Sequence, residues 1–296
     1  MNAFALHENS LLRQHVLKAA TALGVLGGGA LSAPRILAAL CNPAATLREV
    51  SSLIGSEPGL TARVLRVANS AYYGVARSVS TVDRALVVLG LDAVRGIAAA
   101  ACLDRTVMRA QQGASIDHAA LVRHSLAAAA AAEALARRRH RSLAPDAFIA
   151  GVLHNLGVPV QALVDPDGVN AFALAMQEDP AQDASLLERQ CVLVSHEHCV
   201  EVIFESWSLP PALIASAGHH HHPTLAAEPH RALAVLLHLG LRVASETGNS
   251  FPLEPAGGGR DPALLARVGL TAADLDAVAL SLPERLRELQ AALSDA

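Results

Sequence analysis

The stretch PDAFIAGVLHNLG, Pro145 to Gly157, decides how this chain is read. On a helix, Ile149, Val152, Leu153 and Leu156 share one face, while Ala147, Ala150 and Gly151 line another. A segment apolar nearly all round belongs at the centre of a fold rather than on its surface. Gly157 is placed to end it. His154 is the anomaly, because a buried imidazole needs a polar partner or a metal to offset its desolvation. His124 poses the same problem on the stripe Leu121, Ala127, Ala128 and Ala131 of Ile116 to Arg137, which reads as the longest uninterrupted helix.

Working outward, helical signals dominate. Pro34 opens a helix over Ala33 to Leu40, and Thr46 with Glu49 three residues later forms a capping box. Pro58 starts a helix toward Asn69, with Leu60, Val64, Leu65 and Val67 on its apolar surface, and AYYG at Ala71 to Gly74 ends it. Val82 to Leu89 reads as a helix stopped by Gly90, and Asp92 can cap the next helix. Ser195 caps a helix running to Trp207, and Pro210 with Pro211 separates it from its successor. Gly248 to Pro262 reads as a loop; beyond it, Thr271 with Asp274 starts a short helix and Pro283 an amphipathic one carrying Leu286, Leu289 and Leu293. No segment alternates convincingly, so the fold class is all-α.

The composition agrees. Of 296 residues, 52% are hydrophobic and only 3% aromatic, so the core is built from Ala, Leu and Val, and disorder is excluded. A formal net charge of −4 lacks the footprint of a dedicated nucleic-acid binder. Cys41, Cys102, Cys191 and Cys199 are scattered without a CxxC pair and read as reduced thiols of a cytoplasmic protein. Lys18 to Pro34 imitates a signal peptide, but polar residues precede it and Gly27 to Gly29 interrupt it. No run reaches the roughly 18 uninterrupted apolar residues that span a bilayer, and no membrane partner is expected.

Seven pieces in sequence carry a family resemblance: LTARVLRVANSAYYG (Leu60 to Gly74), VDRALVVLGLDAVR (Val82 to Arg95), RHSLAAAAAAEALA (Arg123 to Ala136), GVLHNLG (Gly151 to Gly157), Glu188, His196 ahead of WSLP (Trp207 to Pro210), and HHHHP (His219 to Pro223). Together they resemble the HDOD domain, an HD-related output domain of bacterial signalling proteins and a degenerate relative of the HD and HD-GYP phosphohydrolases. The resemblance covers roughly residues 24 to 245. It implies an N-terminal arm or helix at 1–23, an N-terminal helical subdomain at 24–112, an HD-like helical subdomain at 113–245, and a loop with a C-terminal helical extension at 246–296.

The resemblance also implies a pocket of His124, His154, Asn155, His196, His220 and His221, and, if any metal binds, His124, His154, His196 and His220 as its ligands. Two departures weaken the hydrolytic reading. Asn155 stands where the HD aspartate belongs, and Leu241 stands where the helix Ala232 to Ala244 carries the last aspartate in the superfamily. A hydrolytic divalent ion needs anionic oxygen, and an amide offers only a dipole. The expectation is a non-catalytic regulatory protein acting on a signalling partner, with no cofactor beyond a residual or adventitious divalent metal. A nucleotide or anion held by cationic His220 and His221 is the expected ligand of a vestigial pocket, and Glu188 is expected in a surface or structural ion pair.

Two alternatives stand beside this. The first is a metal-dependent phosphohydrolase or phosphodiesterase. The second is a DNA-binding regulator using the helix pair Leu47 to Ile54 and Gly59 to Asn69, with Arg63, Arg66, Arg77 and Arg84 nearby, although its second helix is too apolar to leave a free recognition face. The run Arg137, Arg138, Arg139, His140, Arg141 reads as a solvated helix end favoured by the macrodipole.

Overall fold

The computed structural model describes residues 3–24, 33–42, 44–69, 75, 78–109, 116–179, 182–254 and 260–294, and among them there is no strand. The AYYG stretch, Arg77 and the glycine triplets Gly27 to Gly29 and Gly257 to Gly259 lie outside the described residues. The helices are α1 (Ala3–Ala22), α2 (Ala33–Cys41), α3 (Leu47–Gly55), α4 (Pro58–Ala68), α5 (Val82–Arg109), α6 (His118–Arg139), α7 (Ala144–Leu153), α8 (Gly157–Val164), α9 (Pro166–Glu178), α10 (Ala184–Cys191), α11 (His196–Ser206), α12 (Pro211–Gly218), α13 (Arg231–Glu246), α14 (Pro262–Arg267) and α15 (Ala272–Ser294).

Local chemistry sets most of these boundaries. The Thr46 hydroxyl accepts from the Glu49 amide while the Glu49 carboxylate accepts from the Thr46 amide, closing the capping box of α3. Pro58 opens α4 at a position whose N–H has no helical partner to lose. The Ser195 side chain caps α11 at the His198 amide. Gly90, at φ +76°, breaks α5 into two helical runs, a conformation that a side chain there would strain.

α6 is the axis of the molecule. It lies against α7, α13 and α15, and Ala127 to Ala132 are essentially fully buried. Close approach on two sides explains why that run is alanine. A Cβ at Gly151 of α7 would sit 2.4 Å from the Ala129 Cα, and one at Gly240 of α13 would sit 2.8 Å from the Ala132 amide nitrogen. α1 packs on α8 and α11.

Three expectations are corrected. Gly157 does not end a helix: a 3-10 turn, His154–Leu156, joins α7 to α8, and Gly157 opens α8. Its lack of a side chain serves packing, since a Cβ would lie 2.0 Å from the His196 carbonyl oxygen. The tail does not break at Pro283. α15 runs through it as one 23-residue helix, longer than the 22 residues of α6. Leu275, Val278, Leu282 and Leu286 form one continuous buried stripe, and their packing offsets the hydrogen bond that proline removes. The basic run is not merely a solvated end: Arg138 pairs with Asp274, Arg139 donates to the Gly269 carbonyl, and His140 meets the Val268 carbonyl, so it anchors the C-terminal extension. Separately, three helical segments, Val82–Asp104, His118–Arg139 and Arg141–Val164, are by length and composition apolar enough to cross a membrane. A search for uninterrupted apolar runs misses them because each carries charged residues. The last two are mostly buried among other helices and the first is half buried.

Candidate functional site

The histidines converge where α6, the α7–α8 turn, the start of α11 and the segment after α12 meet. Ring centroids form a chain: His124 to His154 at 5.4 Å, His154 to His220 at 4.9 Å, His220 to His196 at 5.1 Å and His220 to His221 at 4.0 Å. All six residues expected at the pocket, His124, His154, Asn155, His196, His220 and His221, are therefore in one place. His124, His154, Asn155, His196 and His220 are each at most 3% exposed.

The backbone fixes the tautomers. The Nδ1 atoms of His124, His154 and His220 lie 2.7, 2.8 and 2.6 Å from the carbonyl oxygens of Asn249, Gly151 and Ala217. A carbonyl only accepts, so each Nδ1 carries the proton and each Nε2 presents a lone pair to the interior. The Nε2 atoms of His124 and His154 have no hydrogen-bond partner despite complete burial.

His196 is held differently. Its Nδ1 donates to Glu188 Oε1 at 2.7 Å, and the same oxygen accepts from the His196 amide and from Gln161 Nε2. Glu188 is 3% exposed, so the pair is structural and not a surface one. Burial opposes both charges, but their mutual attraction overrides it, lowering Glu188 to about 2 and raising His196 to about 9. Burial works against the expectation that His220 and His221 are the cationic pair. Burial, reinforced by neighbouring imidazoles, holds His220 well below its usual range and lowers His221 to about 3. Burial likewise takes His124 down to about 4.

The sequence reading missed Glu254. This carboxylate, in the turn after α13, is buried at the middle of the cluster. Oε1 accepts from Asn155 Nδ2 at 2.6 Å and lies 3.5 Å from His154 Nε2; Oε2 lies 3.4 Å from His221 Nε2. Burial opposes its ionisation, yet the surrounding imidazoles hold it well below the usual carboxylate range. Leu241 is a buried apolar residue of α13. No local pattern marks Glu254: it sits in a proline- and glycine-rich loop, 99 residues from the amide it binds. The centre thus offers five imidazoles and one carboxylate, with orphaned Nε2 atoms facing inward. That donor set fits a borderline divalent ion better than a hard one.

Comparison with known proteins agrees with this architecture. Residues 31–223 match the HDOD domain. The chain belongs to the HDOD family. Solved HDOD-like folds similar to it include a provisionally assigned signal transduction protein from Marinobacter aquaeolei VT8, at TM-score 0.78 and 24% identity over 98% of this chain and 65% of that one. This chain thus spans just under two thirds of the Marinobacter protein's length. An HDOD domain protein with unknown function from Geobacter sulfurreducens matches at TM-score 0.70 and 20% identity, over 96% and 97% of the two chains. A provisionally assigned phosphohydrolase from Shewanella amazonensis SB2B matches at TM-score 0.68 and 24% identity, over 93% and 97%. Among curated proteins, none matches in sequence. Asn249 and Glu254 lie beyond the matched HDOD segment, so two groups that hold the histidine cluster come from outside it.

Proposed function

We propose that this HDOD protein is a non-catalytic regulator of bacterial signal transduction, working through contacts with a signalling protein in the cytoplasm. The observation that carries this reading is the closure of its HD-type centre. Asn155 replaces the superfamily aspartate and is turned onto Glu254, while the Asn249 to Glu254 turn lies against His124 and His154. A hydrolytic ion activates water or polarises phosphate only where a ligand position stays open to substrate. Here the protein's own Glu254 carboxylate is buried among the imidazoles, taking space that a phosphate substrate would need.

We place the partner contact at a cleft of about 600 Å³ where α4 and α5 meet α6, α7 and α15. Leu89, Leu91, Phe148 and Leu289 give it an apolar floor, and Glu133, Arg137 and Arg285 a charged rim, a mixture suited to protein recognition. Four free cysteines suit a reducing compartment. The DNA-binding alternative finds little support: Leu60, Val64 and Val67 of α4 face the core, and Arg63 is committed to Asp104 at 2.7 Å.

The converging bare Nε2 atoms favour one rival, an HD-type phosphohydrolase. Tag-free protein supplied with manganese, iron(II) or zinc should hydrolyse neither bis(p-nitrophenyl) phosphate nor a cyclic dinucleotide. Turnover that disappears in His154→Ala overturns the regulatory reading.

A further inference from the structure

We propose that the cleft where α4 and α5 meet α6, α7 and α15 binds a small amphipathic carboxylate, an aliphatic body with one anionic head, and that Arg137 receives the head. As the input that decides whether a partner can use the cleft, this ligand depends on the regulatory reading; the site itself stands apart from it.

Shape and lining select the body of the ligand. The cavity of about 600 Å³ falls within the roughly 300–1,000 Å³ of small-molecule sites, which form readily between packed helices. Val67, Leu89, Leu91, Ile97 and Leu289 line it with aliphatic surface, and Phe148 supplies the one aromatic ring among the described lining residues. Gly96 lets that ring lie against α5, since a Cβ there would sit 2.7 Å from it. Leu91 is exposed and gains cover when the cleft fills. None of these side chains offers a donor or acceptor to the edge of a nucleotide base, whereas an aliphatic chain needs neither.

The polar groups select the head. Arg137 Nε and Nη2 both donate to Glu133 Oε1, at 3.2 and 2.6 Å, and Arg285 Nη2 lies 3.7 Å from Glu133 Oε2. Asp92, on the α5 wall, is answered by Arg95 at 3.5 Å. The carboxylates of the lining are therefore already engaged. A guanidinium, in contrast, carries five N–H donors, and Arg137 Nη1 makes no hydrogen bond among the described residues. What the lining still offers is donors, so the polar end of the occupant must accept. A carboxylate does so through charge-assisted bonds, about twice as strong as neutral ones. Asp92, Glu133 and Glu288 keep the surroundings from being uniformly positive, which disfavours a doubly charged phosphate monoester. Phe148 belongs to α7, whose end leads into His154, so an occupant touches the helix that carries the histidine centre.

The test uses the full tag-free chain, with decanoate as the probe and decanol as its uncharged counterpart, both followed by titration calorimetry. The wild-type chain should bind one equivalent of decanoate and unfold at a higher temperature in its presence. Arg137→Gln should weaken decanoate about tenfold and leave decanol unchanged. Leu91→Glu should weaken both, and each variant should keep the far-ultraviolet circular dichroism of the wild type. Absence of decanoate binding at millimolar concentration overturns the proposal and leaves the regulatory reading standing. Decanoate binding that survives Leu91→Glu also overturns it, by putting the ligand elsewhere, as does equal loss of decanoate and decanol in Arg137→Gln. Decanoate binding together with phosphodiester turnover would overturn the regulatory reading but leave the cleft site standing.

Discussion

Asn155 shows how one residue redirects a site. Its amide donates to Glu254 at 2.6 Å, a contact that an ionised aspartate at that position cannot make. Restoring the superfamily aspartate with Asn155→Asp places two carboxylates in contact inside the protein, where both cannot ionise at little cost. In chelator-treated protein this variant should lose about 1–3 kcal/mol at neutral pH, read by urea denaturation, and regain part of that loss in mild acid as the pair takes up a proton. A variant as stable as wild type would mean that Asn155 does not hold Glu254. At this scale the sequence was informative about the imidazoles and silent about their partner. His124 and His154 were conspicuous because each interrupts an apolar helical face. Glu254 interrupts nothing, and only the folded path of the chain brings it inward.

Among the elements, α6 has the tightest requirement. Its alanines let α7 and α13 approach so closely that Gly151 and Gly240 have no room for a methyl group. Gly151→Ala and Gly240→Ala should each destabilise by about 1–3 kcal/mol through overpacking, even though alanine is the better helix former. Thermal or denaturant unfolding distinguishes the two effects by sign, and stabilisation would contradict the packing described. Helix boundaries written in local chemistry, such as Thr46 with Glu49, Pro58, Gly90 and Ser195, could be read from sequence. The role of Gly157 could not, because its close neighbour is the His196 carbonyl from a distant segment. For the same reason α15 passes through Pro283: a buried stripe on both sides of a proline is a tertiary fact.

At the scale of the whole molecule, the all-α architecture and the HDOD relationship followed from ordered motifs spread over most of the chain, whereas the docking of the tail did not. Asp274 is central to that docking. It accepts from the Thr271 hydroxyl and amide and pairs with Arg138 of α6. The Thr271 hydrogen bonds, with Arg138 and Arg139 adding to them, lower its carboxyl below the ordinary value of 3.8. A carboxylate held low in the folded state contributes stability that is present above pH 3.8 and lost as pH falls through its folded value. Asp274→Asn should therefore lower the unfolding midpoint at neutral pH and flatten its decline below pH 4; an unchanged acid limb would remove Asp274 from the docking account. The C-terminal position of Asn249 and Glu254 also orders events in time. During synthesis, every histidine of the cluster has been made before the residues that close over it. The groups that lie against His124 and His154 are therefore the last of the centre to be made, and the cluster lacks its cover until the Asn249 to Glu254 turn has folded back.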